Sequence, residues 1–215
     1  MVFMTENKIR EHIVKVGRSI YDRGLTAGSS GNISVQADDG WIMTPTNVSL
    51  GGLDPATLSK IDFNGNLVSG DKPTKEHFLH KAVYANRSSA KAIVHLHSTH
   101  SVAVSLLPGL DPKDVLPPLT AYYIMRVGHL PLISYFRPGD TKLGEAVGKV
   151  MKESSSALLA NHGPIVAGAS LEEAVNSVEE LEETAKLFLL VRGLNPRVLT
   201  SEQIKELVDE FGLEY

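Results

Sequence analysis

The chain has 215 residues and no cysteine, with 21 basic side chains, 25 acidic side chains and a formal net charge of −4. This length suits one α/β domain with a sizeable core, so a single domain over residues 1–215 is predicted. The charge gives no indication of nucleic-acid binding, and the lack of cysteine excludes disulfides, thiolate nucleophiles and cysteine-ligated zinc.

The N-terminal residues do not predict a secretory signal peptide. Residues 1–14 lack the uninterrupted apolar core of a signal peptide, and no stretch of the sequence approaches the length of a membrane span. A soluble cytoplasmic protein that does not bind membranes is therefore expected.

The first third of the chain predicts one helix followed by two hairpins. Residues 5–24 carry an apolar stripe at helical spacing and end at a glycine. Strands are predicted over 33–36 and 41–44 around an Asp-Gly turn, and the same pattern recurs around Asn64-Gly65.

The middle of the chain predicts a helix, a strand and a short helix in succession. A helix fits residues 75–86, a strand fits 93–97, and a short helix fits 99–106. The proline-rich stretch that follows, up to residue 123, predicts an ordered connection.

The last third repeats this mixture of elements. A strand is predicted over 129–136 and a helix over 141–152, followed by two short strands about a turn within 156–170. A capping box at Ser170 opens a long helix to about residue 192, and Thr200 opens a last short helix. Hairpins mixed with helices favour a mixed or antiparallel sheet flanked by helices.

Three of the eight histidines lie in the motif "IVHLHSTH", residues 93–100. His95 and His97 are two residues apart on a predicted strand, so they share a face and could meet on one ion. His100 follows a predicted helix cap at Ser98 and is expected to point elsewhere. Two hydrogen-bonded histidines would explain the pair equally well, because a catalytic zinc usually takes three protein ligands.

His162 and Glu76 are the other candidates for a metal site. His162 lies at a turn between two apolar strands, where Gly163 allows the backbone to approach closely. Glu76 falls in the first turn of a predicted helix, where either the helix dipole or a ligand role would explain a carboxylate. The remaining four histidines are predicted to be structural: His12, His77, His80 and His129.

Five sequence blocks together resemble the class II aldolase/adducin-head family. "GSSGNIS", "TPTN", "KPTKEHFLH", "VHLHSTH" and "NHGPIVAG" occur in its order and spacing between about residues 8 and 192. The family includes zinc-dependent fuculose-phosphate and rhamnulose-phosphate aldolases and ribulose-phosphate epimerases. "TPTNVSLGGLDP", "HSTHSVAVS" and "YFRPGD" resemble one branch, the 3-oxo-tetronate 4-phosphate decarboxylases.

The resemblance implies a fold, an assembly and a set of site residues. The fold would be three-layer α/β/α with a largely antiparallel sheet, in a homotetramer with sites between subunits. One Zn²⁺ per subunit would be bound by His95, His97 and His162, with Glu76 as acid–base group and ligand of the substrate-free metal. A phosphorylated substrate would lie against Gly31-Asn32, Thr46-Asn47 and Thr74-Lys75, and a neighbouring subunit would contribute Tyr122 or Tyr123, with Tyr122 favoured by register.

Lys75 departs from many of the family aldolases, which carry a hydroxyl residue at this position.

The reaction that the resemblance implies is zinc-dependent loss of carbon dioxide from a 3-oxo-tetronate 4-phosphate through an enediolate, giving dihydroxyacetone phosphate. Aldol cleavage of a sugar phosphate passes through the same enediolate and is the main competing hypothesis. Two further hypotheses are a non-catalytic adducin-like domain and a non-haem iron oxygenase that binds its metal through two histidines and a carboxylate.

Overall fold

The computed structural model describes residues 5–213 and residue 215. Within these residues the helices are α1 (Glu6–Asp22), α2 (His77–Asn86), α3 (Thr99–Ser105), α4 (Ala121–Arg126), α5 (Thr141–Met151), α6 (Leu171–Val191) and α7 (Ser201–Phe211). The strands are β1 (Asn32–Ala37), β2 (Gly40–Met43), β3 (Ser59–Asp62), β4 (Leu67–Ser69), β5 (Ala92–His95), β6 (Leu132–Ile133), β7 (Ser156–Leu159) and β8 (Gly163–Gly168). None of the described helices is long and apolar enough to cross a membrane.

The strands form one sheet in the order β4-β3-β2-β1-β5-β8-β7-β6. Every neighbouring pair is antiparallel except β6 and β7, which are parallel. The prediction of a largely antiparallel sheet is therefore confirmed.

Helices cover both faces of this sheet, as the period-2 alternation of buried strand residues requires. Val94 on β5 faces a core that includes α1 and α6, where Ile13 and Leu181 are fully buried. Its neighbour Ile93 faces the opposite core, which α2 and α5 complete with residues such as Leu79. The result is the expected three-layer α/β/α arrangement.

The structure differs from the predicted elements mainly where the chain leaves the sheet. Helix α2 begins at His77 rather than at residue 75, because residues 74–76 form a turn in which the His77 N–H donates to the Thr74 carbonyl. Strand β5 ends at His95, two residues early. The predicted strand 129–136 shrinks to Leu132–Ile133, and α4, which was not predicted, follows the proline-rich connection after a side-chain cap from Thr120.

Candidate metal centre

The ends of three central strands, β1, β5 and β8, bring together the sequence blocks that contain the candidate ligands. The first residue of β1, Asn32, pairs directly with the last residue of β5, His95. Strand β8 runs antiparallel to β5, so it begins at the end of the sheet where β5 finishes, with Ile165 opposite His95. His97, just after β5, and His162, just before β8, are therefore brought together although 65 residues separate them in sequence.

The three imidazoles meet through their Nε2 atoms. His95 Nε2 lies 3.1 Å from His97 Nε2 and 3.3 Å from His162 Nε2. Together with a Glu76 oxygen, the ligand atoms all lie within 4.8 Å of one another. Nitrogens bound to one zinc ion at ~2.0–2.1 Å in a tetrahedron would be roughly 3.3 Å apart, so the cluster has the size that such an ion needs.

The tautomer of His95 leaves its Nε2 lone pair free for a ligand. Its Nδ1 lies 2.8 Å from the carbonyl oxygen of Pro164, which can only accept a hydrogen bond. The proton of the neutral ring is therefore on Nδ1, and Nε2 faces the cluster as an acceptor. A carbonyl partner of this kind is typical of metal-binding histidines because it fixes the ring orientation.

Burial favours the neutral form of His95 and His97. It lowers the pKa of His95 to about 3, and it also lowers the pKa of His97, helped by the charge of His162. Neutral imidazole is the form that binds metal ions, so these rings need not lose a proton at neutral pH before an ion can bind.

Glu76 faces the histidines and does not cap its helix. It occupies the N-cap position of α2 but makes no side-chain capping bond. Its Oε1 lies 3.1 Å from His162 Nε2, and its Oε2 accepts a hydrogen bond from Asn32 Nδ2 at 2.7 Å. Burial alone would raise the pKa of Glu76, but the imidazoles of His95 and His162 and the Asn32 donor together hold it well below its ordinary value.

Two glycines beside the cluster pack closely against the backbone at the end of β5. A Cβ on Gly163, whose φ is 148°, would collide with the carbonyl oxygen of Leu96, which confirms that the glycine allows a close backbone approach next to His162. A Cβ on Gly31, whose φ is 82°, would lie only 3.1 Å from the carbonyl oxygen of His95. Both positions therefore favour glycine for steric reasons.

Two of the segments that would bind phosphate, around Thr46 and Thr74, run beside one another. The Thr46 N–H donates to the Lys72 carbonyl at 3.0 Å, and the Thr74 N–H donates to the Thr44 carbonyl at 3.1 Å. Thr74 is buried, whereas Lys75 is exposed. Asn47 has a left-handed backbone with φ of 60°.

A cavity of about 710 Å³ opens over the cluster. Glu76, His97 and His162 line one part of it, and Tyr135, Phe136 and Asn161 line another. The last three were not predicted as site residues. The sequence does carry a signal for them, because Tyr135 and Phe136 begin the "YFRPGD" string and Asn161 precedes His162.

The two candidate tyrosines occupy different environments. Tyr122 is 60% exposed, with the Arg126 guanidinium 5.8 Å from its ring centre, and it lines a surface depression separate from the cavity over the cluster. Tyr123 is 1% exposed, and its buried hydroxyl has no hydrogen-bond partner among the described residues. Of the two, only Tyr122 has a ring that another subunit could reach.

The remaining histidines lie outside the cluster. His100 points away, as expected, with its Nδ1 2.8 Å from the Glu182 carboxylate. The four histidines predicted to be structural have other partners: His12 lies near Glu172, His77 near the Thr74 carbonyl, His80 between Asn32 and Ser34, and His129 near Asp114.

Comparison with known proteins gives consistent results. Residues 11–189 match the family described as Class II Aldolase and Adducin N-terminal domain. A 3-oxo-tetronate 4-phosphate decarboxylase from Cupriavidus necator is 50% identical over 211 residues, covering 96% of this chain and 97% of the relative. An L-fuculose phosphate aldolase from Methanocaldococcus jannaschii is 35% identical, covering 84% of this chain and 96% of the relative. The crystal structure of Escherichia coli YgbL, a candidate aldolase, epimerase or decarboxylase, superposes with a TM-score of 0.92 at 44% identity, covering 95% and 99% of the two chains.

Proposed function

The chain belongs to the class II aldolase and adducin N-terminal domain family, and from this premise we propose that it decarboxylates a 3-oxo-tetronate 4-phosphate to dihydroxyacetone phosphate and carbon dioxide. Family membership confirms the resemblance seen in the sequence, and the chain is a carbon–carbon lyase. The observation that carries the proposal is the convergence of Glu76 and three imidazoles beside a cavity that the "YFRPGD" segment lines.

We propose Zn²⁺ as the metal, with one ion per subunit. The donor set of three imidazole nitrogens and one carboxylate, without sulfur, is typical of a catalytic zinc site. The fit rests on the orientation of His95, whose Nδ1 is bound to the Pro164 carbonyl while its Nε2 points at the other ligands. A zinc ion in this position supplies a Lewis acid that polarises the substrate ketone and stabilises enediolate charge.

The protein residues orient the substrate and move its protons. The substrate is a β-keto acid, so breaking its C1–C2 bond releases carbon dioxide and leaves the electron pair in an enediolate. We assign Thr46, Asn47 and Thr74 to the phosphate, together with the backbone at Gly31-Asn32. The Asn32 side chain, which was predicted to bind phosphate, instead contacts Glu76 and His80. Glu76 takes a proton from the substrate hydroxyl and returns it to carbon, and solvent provides the proton that the overall reaction consumes.

The competing functions differ in how well they fit the same residues. Aldol cleavage uses the same enediolate, and an aldolase relative at 35% identity keeps it as the second candidate. A non-catalytic adducin-like domain would be expected to lack metal ligands, whereas all four are present and converge. An iron oxygenase site of two histidines and one carboxylate leaves the third imidazole unexplained.

The deciding experiment is product analysis with the purified enzyme. Carbon dioxide and dihydroxyacetone phosphate should form from at least one stereoisomer of a 3-oxo-tetronate 4-phosphate. Aldehyde release from fuculose 1-phosphate and similar sugar phosphates is measured in parallel. Efficient sugar-phosphate cleavage without any carbon dioxide release would replace the decarboxylase assignment with the aldolase.

Lys75→Ser is expected to weaken decarboxylation selectively. The substrate carries a carboxylate as well as a phosphate, and the exposed Lys75 ammonium directly precedes Glu76 in the chain. A hydrogen bond to a charged group contributes about 1.5–3 kcal/mol, so kcat/KM for decarboxylation should fall by about 10- to 150-fold. Aldol cleavage, if present, should be retained or raised.

The control for this variant is Lys142→Ser, which removes an exposed lysine from the first turn of α5. It should leave both activities unchanged. An equal loss in Lys75→Ser and Lys142→Ser would mean that Lys75 acts only through the net charge.

Tyr122→Phe is expected to slow turnover by about 10²-fold or more without disturbing assembly. We propose a cytoplasmic homotetramer in which Tyr122 enters a neighbouring subunit's site, because its ring is exposed and does not line its own cavity. In equal mixtures of Tyr122→Phe and Glu76→Gln chains, random assembly gives about a quarter of the sites both intact residues. If verified mixed oligomers recover no activity, then either the sites are not shared between subunits or Tyr123 is the tyrosine that is contributed.

A further inference from the structure

A continuous chain of hydrogen bonds runs from the Glu76 carboxylate into the protein interior. Glu76 Oε2 accepts from Asn32 Nδ2 at 2.7 Å, and Asn32 Oδ1 lies 2.5 Å from His80 Nε2. His80 Nδ1 lies 2.7 Å from Ser34 Oγ, which lies 2.9 Å from the Tyr84 hydroxyl. The proposed acid–base group is thus the outer end of a five-residue polar chain.

The repeat of each element explains why these residues meet. Asn32 and Ser34 are two apart on β1, so they point to the same face of the sheet. Glu76, His80 and Tyr84 are four apart, so they form one stripe along the start and body of α2. These hydrogen bonds therefore lie where one face of β1 packs against one face of α2.

The donor and acceptor of each hydrogen bond among these five residues can be assigned. The ionised Glu76 can only accept, so Asn32 must present its NH₂ to Glu76 and its oxygen to His80. His80 must then carry its proton on Nε2, which leaves Nδ1 to accept from the Ser34 hydroxyl. The Ser34 oxygen in turn accepts from Tyr84.

Burial makes this assignment of donors and acceptors the favourable one. Ser34 and His80 are fully buried and Asn32 is 4% exposed, so reversing any one group would leave an unpaired polar atom in the interior. Burial also lowers the pKa of His80 to about 4, which keeps the ring neutral with a single proton at physiological pH.

We propose that His80 is a positioning residue for Glu76. Its Nε2–H holds the Asn32 carboxamide in the orientation that donates to Glu76 Oε2. Without that donor the Asn32 carboxamide is held at one end only, so it can turn away from Glu76, and the carboxylate loses both its partner and its fixed direction. The effect on catalysis rests on the proposed acid–base role of Glu76, whereas the proton position on His80 does not.

Two substitutions at His80 separate positioning from simple core packing. In His80→Gln the amide nitrogen reaches the place of Nε2 and can still donate to Asn32. In His80→Asn the shorter amide reaches only the place of Nδ1, so it keeps Ser34 and loses Asn32. Each variant leaves one buried polar partner unsatisfied, so their melting temperatures should fall by similar amounts and serve as a mutual control.

The expected result is a split between the two variants in kcat. His80→Asn should lose about 10- to 100-fold in kcat, which is the usual loss when the support of a site residue is removed. We expect its KM and metal content to stay near those of the wild type, because the three imidazoles are untouched. His80→Gln should stay within about fivefold of the wild type. Equal losses in both variants, or full kcat in His80→Asn, would overturn the proposal.

A second measurement tests the same inference without turnover. In metal-free protein labelled with ¹⁵N-histidine, the His80 ring, assigned by its absence in His80→Gln, should show a protonated Nε2 and a bare Nδ1. A ring protonated on Nδ1, or on both nitrogens at neutral pH, would overturn the positioning role. A wild type inactive on every substrate would instead overturn the proposed function, and the ring spectrum would still decide the role of His80.

Discussion

His97→Ala protein is expected to retain its fold, hold far less than one metal ion per chain and lose lyase activity by about 10³-fold or more. His97 Nε2 lies 3.1 Å from His95 Nε2, so its removal takes one of three imidazoles from the cluster. The side chain is partly exposed and borders the cavity, so truncation enlarges an existing space and does not create a void in the core. Metal content by mass spectrometry and carbon dioxide release measure the two losses.

His100→Ala is the matched control because it lies in the same motif and outside the cluster. Its imidazole is 40% exposed and contacts Glu182, which keeps the backbone and side-chain donors of Ser101. Metal content and activity should therefore remain near those of the wild type. Stoichiometric zinc in the double variant His95→Ala, His97→Ala would show that the ligand set is wrong.

The sequence allowed the metal cluster to be predicted because its strongest signals are local. The two-residue spacing of His95 and His97 predicted that their rings would share a face, and the rings do meet although β5 ends at His95. Gly163 marks a close backbone approach beside His162. The family resemblance implied that these segments share one metal. Their joining depends on the pairing of β5 with β8, which neither segment encodes alone. The α/β class could be predicted in the same way, from hairpins alternating with helices.

The sequence contains the "YFRPGD" string of the cavity wall, but its role as a wall was not predicted because the sequence does not show where the preceding strand ends. Tyr135 and Phe136 line the cavity just beyond Ile133, where β6 ends and the chain leaves the sheet. Proline at 131 removes one donor from this strand, and the periodic pattern over 129–136 does not reveal where pairing stops.

His80 illustrates a different limit. The sequence predicted a structural histidine, and the side chain is indeed fully buried. The spacing of Glu76, His80 and Tyr84 was visible as one helical stripe, but its partners Asn32 and Ser34 lie more than 40 residues away. Only the packing of α2 on β1 shows that these polar groups form one chain.

Glu76→Gln is expected to lower kcat by at least about 10²-fold while the protein keeps its fold and most of its metal. Glutamine has nearly the shape of glutamate, and its oxygen can still accept the hydrogen bond that Asn32 Nδ2 donates at 2.7 Å. The three imidazoles remain, so an ion can still bind. What is lost is a group that can take up a proton and return it.

The control is Glu145→Gln, which removes one negative charge from an exposed position on α5. Its activity should equal that of the wild type, so any loss specific to Glu76→Gln cannot reflect net charge. Turnover is measured at saturating substrate and normalised to bound metal, which separates proton transfer from weaker metal binding. Near-normal turnover in Glu76→Gln would reduce Glu76 to a carboxylate that merely lies beside the histidines, and the acid–base group would then have to be sought on the neighbouring subunit, beginning with Tyr122.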